Sequence, residues 1–320
     1  MRSDASAPIA PPPLQPLSRA ELENNWSHAE EIVVSILCAA YQHEKYIESA
    51  LCGFLGQKTS FRFEILVRDD ASTDATPEII KAYAERYPGI VIPVLETVNQ
   101  YPHVRPGIVL GKMARGKYLA HCEADDYWTD PRKLADQTSY LVKYPECSMV
   151  CQSHINAEET PNGLVPRSGP REVYLTLTRM YRKDVYADYP QDLLDLPNGD
   201  RGLLVHFATR GRVASLSHLS PAVRVMHSGG IMSMQPTNVQ LDRQVRTWDR
   251  IFQYYSGTRF APALNLKLAQ VRQRQHAHVA SRSSGPQRWV AKFGSLWLRA
   301  RIFVMRRLGY QQALPAIFTS

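Results

Sequence analysis

Short apolar runs alternate with amphipathic segments over the first half of the chain. Four runs of strand length are predicted to be buried strands, at 32–38, 61–67, 90–95 and 117–122. Apolar residues at helical spacing predict helices between them, and Thr76 followed by Pro77 is a typical helix start. Strands that alternate with helices favour an α/β fold with a single, mostly parallel sheet flanked by helices.

The two ends of the chain depart from this α/β pattern. Residues 1–31 include a run of prolines and are predicted to form a disordered leader. The α/β domain is expected to cover 32–235, and 236–320 to form a basic, helical C-terminal region. Within the domain, the polar stretch 153–171 is rich in Pro and Gly and predicts a surface loop.

The positive charge of the chain is concentrated at its C-terminal end. The net charge is +8, yet the residues from Ile251 to Ser320 contain eleven Lys and Arg and no acidic residue. The first 250 residues therefore carry a net charge of about −3. This distribution argues against a nucleic-acid-binding core and predicts that the tail meets an anionic partner.

The segment 286–309 is predicted to form an amphipathic helix. Its apolar face contains Trp289, Phe293, Leu296, Trp297, Ala300, Phe303 and Val304. Tryptophan together with Lys and Arg is typical of a helix that lies on an anionic membrane. Two alternatives are a helix packed on the rest of the protein with its charges facing water, and RNA binding. The RNA alternative is disfavoured because no base-stacking module accompanies the charge.

The chain has no uncharged apolar run of about 18 residues, the length that suggests a membrane-spanning helix. We therefore expect a cytoplasmic protein that associates peripherally with the inner face of the membrane and does not bind nucleic acid.

Acidic residues directly follow two of the predicted strands. Glu123, Asp125 and Asp126 place three carboxylates within four residues, and such like charges need a compensating cation or strong hydrogen-bond donors. Mg²⁺ or Mn²⁺ bound to a diphosphate would supply that cation, whereas a solvated acidic turn is the alternative.

Asp69 and Asp70 form the second acidic group. A carboxylate there could accept a hydrogen bond from a base NH or a ribose hydroxyl, and the alternative is that these residues form a turn and cap the next helix. Ligands of open parallel sheets bind at these strand ends.

Three segments of the chain carry a resemblance to a known family. In order, they read VSILCAAYQHEKYIESAL, EILVRDDASTDAT and GKYLAHCEADDYWTDPRKL. Together they resemble the successive signatures of the inverting family 2 glycosyltransferases, and the resemblance runs from about Val33 to Gly230. It implies the A-type glycosyltransferase fold, with a Rossmann-like nucleotide-binding half.

The same resemblance implies an activity and its partners. The chain would use Mn²⁺ or Mg²⁺ to move a sugar from a nucleoside-diphosphate-sugar to a hydroxyl group of a saccharide or lipid-linked saccharide. Such a reaction belongs to the synthesis of cell-surface polysaccharide or glycolipid.

The resemblance also implies donor-binding residues. Ala39 and Tyr41 would line the nucleotide pocket, Asp70 would contact the base, and Asp125 would lie near the ribose. Ala39 stands where the family often has Thr or Ser, so one hydroxyl contact to the base would be missing.

The metal is expected at the acidic turn. By resemblance, Asp126 would ligate the metal, and Glu123 is a further candidate for the metal site. His227 precedes two glycines that allow loop motion, and in similar enzymes a late segment closes over the diphosphate. His227 is therefore a candidate for both donor and metal binding.

Asp200 is the candidate catalytic residue. In the resemblance it occupies the position of the general base, which removes a proton from the acceptor hydroxyl as that oxygen attacks the anomeric carbon. The alternative is that Asp200 caps the helix that follows it.

Two other functions remain open at this point. A sugar-phosphate nucleotidyltransferase shares the nucleotide-binding half, but normally carries a glycine-rich, lysine-bearing loop where this chain has 39–43 (AAYQH). The second is an inactive, membrane-associated scaffold that binds a nucleotide sugar, and the presence of Asp126 and Asp200 argues against it.

Overall fold

The computed structural model describes residues 10–161, 163–167, 169–171, 174–229 and 235–307. The chain divides into two compact units. The first contains the chain up to Asp188 together with Gly211–His227, and the second contains Tyr189–Arg210 and the chain from Ser228 onward.

The first unit contains all the strands within the described ranges. They are β1 His28–Ala40, β2 Phe61–Asp69, β3 Val91–Leu95, β4 Tyr118–His121, β5 Cys147–Cys151, β6 His154–Thr160, β7 Gly163–Pro166, β8 Met180–Arg182, β9 Arg212–Ser215 and β10 Ala222–Met226. Its helices are α1 Arg19–Asn25, α2 Ile47–Leu55, α3 Thr76–Arg86, α4 Pro106–Met113, α5 Lys133–Lys143 and α6 Lys183–Ala187, with a 3₁₀ turn at Thr176–Thr178.

Seven strands form a mostly parallel main sheet in the order β3-β2-β1-β4-β8-β5-β9. Only β8 runs antiparallel to its neighbours β4 and β5. Positions 34–38 of β1, 63–69 of β2 and all of β4 are buried, as their mostly apolar runs predict, and the core lies between the sheet and the flanking helices. The predicted α/β fold class is confirmed.

A second, three-stranded sheet was missing from the sequence prediction. It has the order β10-β6-β7, and two of its strands lie in the stretch 153–171 that was predicted to be a loop. The loop prediction was wrong because β6 is rich in polar residues and only partly buried. It therefore lacks the continuous apolar run that indicates a buried strand. This sheet adds to the single sheet that the sequence predicted.

The predicted leader is ordered from residue 10 onward, and residues 1–9 lie outside the described residues. Ser18 and Glu21 form a capping box that starts α1. Leu22 and Trp26 are buried in the main core, and the Trp26 indole donates a hydrogen bond to Thr59 over 3.2 Å. The prediction of disorder is therefore wrong for the segment that contains α1, because Leu22 and Trp26 anchor this otherwise polar segment to the core.

The second unit is helical, which confirms the predicted C-terminal helical extension. Its elements are a 3₁₀ turn at Gln191–Leu193, α7 Gly199–Arg210, α8 Thr237–Tyr254, α9 Ala261–Arg282 and α10 Gly285–Arg307. Residues 189–210, which the sequence prediction placed in the α/β domain, belong to this unit. None of the helices in the described part of the chain has the length and apolar content that a bilayer crossing requires.

A close contact between α2 and the chain after β4 gives a first prediction. A Cβ atom on Gly53 would lie 2.9 Å from the backbone nitrogen of Trp128 and 3.0 Å from its carbonyl oxygen. We expect Gly53→Ala to lower the free energy of unfolding by about 1–3 kcal/mol, measured by chemical denaturation, because backbone atoms must shift. Gly257→Ala is the control, since a Cβ there meets nothing within 4 Å. Equal stability of the two variants would contradict the contact.

Candidate active site

The carboxyl ends of β1, β2 and β4 bring both acidic segments to one edge of the main sheet. β1 lies between β2 and β4 and is parallel to both. Beyond the strands, the backbone NH of Asp70 bonds the carbonyl of Ala40 over 3.0 Å, and that of Ala124 bonds the carbonyl of Ala39 over 2.9 Å. The end of β1 therefore joins the two acidic turns, as the strand order predicts.

Asp125 lies beside two histidines at this edge. Its Oδ2 is 3.2 Å from Nε2 of His227 and 3.8 Å from Nε2 of His43. The ligand atoms of the three residues all lie within 4.8 Å of one another. Burial alone would raise the pKa of Asp125, but the hydrogen bond to His227 and the charge of His43 outweigh it, so the pKa lies below its usual value. We call these three residues the His-Asp-His cluster.

Two backbone hydrogen bonds place His227 beside Asp125. The NH of Tyr127 bonds the carbonyl of Val223 over 3.1 Å, and the NH of Val223 bonds the carbonyl of Tyr127 over 2.9 Å. This bridge attaches β10 to the segment that follows the acidic turn. Because His227 comes directly after β10, it reaches Asp125 across about a hundred residues of sequence.

Asp126 has a different environment from Asp125. Its side chain is buried, and its Oδ1 accepts a hydrogen bond from the backbone NH of Val225 over 3.0 Å. Burial, followed by the charges of Asp125 and Glu123, raises the pKa of Asp126 well above its usual value. Among the described residues, neither Asp126 nor Glu123 is part of the His-Asp-His cluster.

His43 was not among the site residues predicted from the sequence. It lies in the loop directly after β1, and its backbone NH bonds the Thr76 hydroxyl over 2.9 Å. The neighbouring Gln42 has a φ of 57° and binds the 72–74 loop through its backbone and side chain. Burial lowers the pKa of His43, although Asp125 acts in the opposite direction. Its position after a central parallel strand was the signal that could have found it.

Tyr46 packs against both imidazoles of the cluster. Its ring centroid lies 4.5 Å from that of His227 and 6.3 Å from that of His43. Its hydroxyl donates a hydrogen bond over 2.8 Å to Glu159 on β6, so the second sheet helps to fix the ring. Tyr46 was also missed by the sequence prediction.

The two predicted pocket residues at the end of β1 differ in exposure. Ala39 is half-buried, whereas Tyr41 is 42% exposed. Both lie on the same edge as the cluster, and their contact with a nucleotide remains a prediction.

Asp70 is engaged by groups of the protein itself. Its Oδ1 lies 2.9 Å from the buried Arg68 guanidinium, and its carboxylate accepts the backbone NH groups of Gln100 and Tyr101 over 3.1–3.2 Å. The side chain of Asn99 bonds its carbonyl. Asp70 therefore holds the 99–101 loop, and a contact with a base would compete with these bonds.

Asp200 lies in the first turn of α7, in the second unit. Its carboxylate is about one-third exposed and lies 3.7 Å from Nε of Arg201. Within that unit, the residues just before α7 are fixed to α8: the backbone NH of Asn198 bonds the Thr247 hydroxyl over 3.1 Å, and Arg243 bonds the carbonyl of Pro197 over 2.9 Å. Its role as general base remains a prediction.

The His-Asp-His cluster fits a divalent cation. It offers one carboxylate oxygen and two imidazole nitrogens, and such ligands bind first-row divalent metals at roughly 2.0–2.2 Å. Ligand atoms around one such ion lie about 3–4 Å apart, as the two contacts of Asp125 do.

The family of the chain follows from its sequence. The model of glycosyl transferase family 2 matches residues 35–202, more than half of the chain. The chain therefore belongs to glycosyl transferase family 2.

Two relatives in sequence extend beyond the region that they share with this chain. An uncharacterized protein of Mycobacterium tuberculosis is 38% identical over 216 residues, which are 62% of this chain and 60% of that protein. Poly(ribitol-phosphate) beta-N-acetylglucosaminyltransferase TarS of Staphylococcus aureus is 26% identical over 173 residues, 50% of this chain and 30% of TarS. The match thus spans less than two thirds of the length of these relatives.

Two solved structures share the fold. TarS residues 1–349 in complex with UDP-GlcNAc gives a TM-score of 0.53 at 18% identity, covering 87% of this chain and 92% of that one. A mannosyltransferase from Pyrobaculum calidifontis in complex with GDP-Man and Mn²⁺ gives 0.55 at 16% identity, covering 97% and 89%. The predicted A-type glycosyltransferase fold is confirmed.

The contacts of Asp70 give a prediction for the 99–101 loop. In Asp70→Asn the carboxylate loses its charge, which weakens the bonds from the NH groups of Gln100 and Tyr101. We expect these two amides to exchange hydrogen about fivefold faster, as measured by mass spectrometry, because local opening costs about 1 kcal/mol less. Asp184→Asn, which changes an exposed acid on α6, is the control. Unchanged exchange would show that Asp70 does not hold the loop.

Proposed function

We propose that the chain is a metal-dependent, inverting glycosyltransferase that moves a sugar from a nucleoside-diphosphate-sugar to a hydroxyl acceptor. The observation that carries the proposal is the His-Asp-His cluster at the carboxyl ends of β1 and β4 in a family 2 chain. The complexes of TarS with UDP-GlcNAc and of the mannosyltransferase with GDP-Man and Mn²⁺ support this donor class. A saccharide or lipid-linked saccharide of the cell surface is the proposed acceptor.

The metal ligands in this proposal differ from the sequence prediction. We assign Asp125 and His227 to Mn²⁺ or Mg²⁺ in place of Asp126, whose carboxylate is buried against the backbone of β10. When bound, the ion would neutralise the charge that develops on the diphosphate as it leaves. Asp126 instead positions β10, and with it His227.

The remaining donor contacts come from the same edge of the sheet. Ala39 and Tyr41 are proposed to line the nucleotide pocket, and Asp70 to support it by fixing the 99–101 loop. The carbonyl of Ala39 is already bonded to Ala124, so the acidic turn and the nucleotide pocket share one backbone anchor.

Asp200 is proposed as the general base. An acceptor hydroxyl must lose its proton as it attacks the anomeric carbon opposite the leaving diphosphate, which inverts the configuration. The attack forms the new C–O bond, the bond from carbon to the diphosphate breaks, and the proton goes to the Asp200 carboxylate. The bonds that tie the start of α7 to α8 hold this carboxylate on a fixed backbone.

The nucleotidyltransferase alternative lacks structural support. A loop that cradles phosphates presents free backbone NH groups, typically from glycines. Here the NH groups of Gln42, His43 and Glu44 are all taken by side chains of the 72–76 segment.

The donor reaction tests the proposed function directly. We expect one nucleotide sugar from a panel to raise the melting temperature in the presence of Mn²⁺, and nucleoside diphosphate to be released when an acceptor is added. Asp200→Asn should keep the donor-induced shift but lower turnover by about 10²-fold or more, since it cannot accept the proton. Asp195→Asn, which changes an exposed acid of the same unit, is the matched control.

Two outcomes would count against this proposal. Normal turnover of Asp200→Asn would exclude Asp200 as the base. Donor binding without any release of nucleoside diphosphate by the unmodified chain would favour the inactive scaffold.

The helix α10 is proposed to bind the anionic inner face of a membrane. Among the side chains of α10 that the structure describes, Ala291, Ser295, Leu298 and Met305 are buried, and α10 packs on α9. Seven large apolar side chains of α10 are more than half exposed: Trp289, Val290, Phe293, Leu296, Trp297, Phe303 and Val304. A face of this size exposed to water indicates an interaction surface.

Charge identifies the proposed partner of this face. Lys292, Arg301 and Arg307 lie over the rings of Trp289, Trp297 and Phe303, with the charged groups 5.1–5.5 Å from the ring centroids. The helix contains no acidic residue. Aromatic side chains bordered by cations suit the interface of a bilayer with anionic lipids.

We expect the chain to sediment with vesicles that contain phosphatidylserine, and less with vesicles of phosphatidylcholine alone. Replacing Trp289, Phe293 and Trp297 together by Ala should lower binding at least tenfold, because each side chain contributes roughly 1.5–3 kcal/mol when it leaves water. Tyr254→Ala removes an exposed aromatic residue of α8 and is the control. Sedimentation of the triple variant at the level of the control would exclude α10 as the membrane-binding element.

A further inference from the structure

We propose that His43 is a third protein ligand of the metal, which makes the site select Mn²⁺ over Mg²⁺. The inference rests on the proposed function, because it assigns a further residue to the metal site of that reaction. His43 lies in the loop after β1. The sequence prediction assigned residues of this region to the nucleotide pocket only.

The geometry places the His43 imidazole at the same carboxylate oxygen as His227. Nε2 of His43 is 3.8 Å and Nε2 of His227 is 3.2 Å from Oδ2 of Asp125. The two imidazole rings are nearly perpendicular, with an interplanar angle of 83° and centroids 6.1 Å apart. The three ligand atoms lie within 4.8 Å of one another, a spacing that a single ion could bridge.

The His43 ring makes no hydrogen bond that explains its position. Within the described part of the chain, its Nδ1 is buried without a hydrogen-bond partner, and its Nε2 lies beyond hydrogen-bond distance of Asp125. The side chain is only 17% exposed. Leaving the buried Nδ1 without a partner is costly, so hydrogen bonding does not explain the orientation of the ring, and a coordinated ion would engage Nε2, the nitrogen on the side of Asp125.

The backbone and neighbours of His43 hold the ring in this place. The bond from its NH to Thr76 and the bonds of Gln42 to the 72–74 loop fix the backbone. Tyr46 contacts the ring edge-on and also packs against His227. A ligand held by packing and hydrogen bonds needs little reordering when an ion binds, which is the usual property of a built metal site.

The ligand set determines which ion the site prefers. Mg²⁺ favours oxygen ligands and keeps its water, whereas imidazole nitrogen binds Mn²⁺ and the later transition metals better. Two histidines and one carboxylate resemble the sets that hold a divalent transition metal and leave further positions for other ligands. Oxygens of a donor diphosphate would suit those positions.

The binding of Mn²⁺ itself, without any sugar, tests the inference. The signal of free Mn²⁺ in electron paramagnetic resonance disappears on binding, so titration gives Kd, and competition with Mg²⁺ gives the preference. The titration is carried out with Mn²⁺ alone and with added UDP or GDP. We expect His43→Ala to weaken Mn²⁺ binding at least tenfold and to change Mg²⁺ binding much less.

Matched variants separate ligation from a general effect on the fold. His218→Ala removes an exposed histidine paired with Asp136 and should bind Mn²⁺ like the unmodified chain. Asp125→Asn and His227→Ala should lose Mn²⁺ binding. Melting curves without metal should be similar for His43→Ala and His218→Ala, and Co²⁺ bound to the unmodified chain should show a visible absorption band that changes in His43→Ala.

The results distinguish this inference from the proposed function. Equal Kd values and equal Mn²⁺ preference for His43→Ala and His218→Ala would overturn the role of His43, even if sugar transfer is normal. Failure of the unmodified chain to bind Mn²⁺ with or without UDP or GDP would also overturn it. Binding of Mn²⁺ through His43 without transfer from any donor would instead contradict the proposed function.

Discussion

The backbone pairing of Tyr127 with Val223 is the interaction on which the candidate site depends. Its two hydrogen bonds of 3.1 and 2.9 Å attach β10 to the segment after the acidic turn. One further bond, from Val225 to Asp126, continues the contact along β10. These backbone contacts place His227. The position of its side chain is therefore set by hydrogen bonds of the main chain.

The two adjacent carboxylates of the acidic turn have different environments, and burial together with the charges of Asp125 and Glu123 raises the pKa of Asp126. Asp126 is buried against β10, and its raised pKa keeps it protonated to higher pH, whereas Asp125 faces two imidazoles and has a lowered pKa. Two ionised neighbours in one buried turn would repel each other strongly. In the proposed function this difference divides the roles, because Asp126 holds β10 and Asp125 is left to bind the cation.

Much of the fold could be predicted from local pattern alone. Positions 34–38 of β1, 63–67 of β2 and 118–121 of β4 are buried and mostly apolar, a pattern that is typical of strands in a parallel sheet. By contrast, β6 and β7 form a small half-exposed sheet whose residues read as a polar loop. The helix α1 was hidden in a Pro-rich context, since its stability comes from Leu22 and Trp26 packing on distant parts of the core.

The candidate site shows where prediction from one sequence stops. The position of the acidic turn follows from the strand before it, but Asp125 and Asp126 are chemically identical neighbours. Which of them faces the two imidazoles depends on β10 and His227, about a hundred residues further along the chain. His43 is subject to the same constraint, because its closeness to Asp125 arises only when the ends of β1 and β4 meet. Roles that arise from long-range pairing cannot be read from a motif alone.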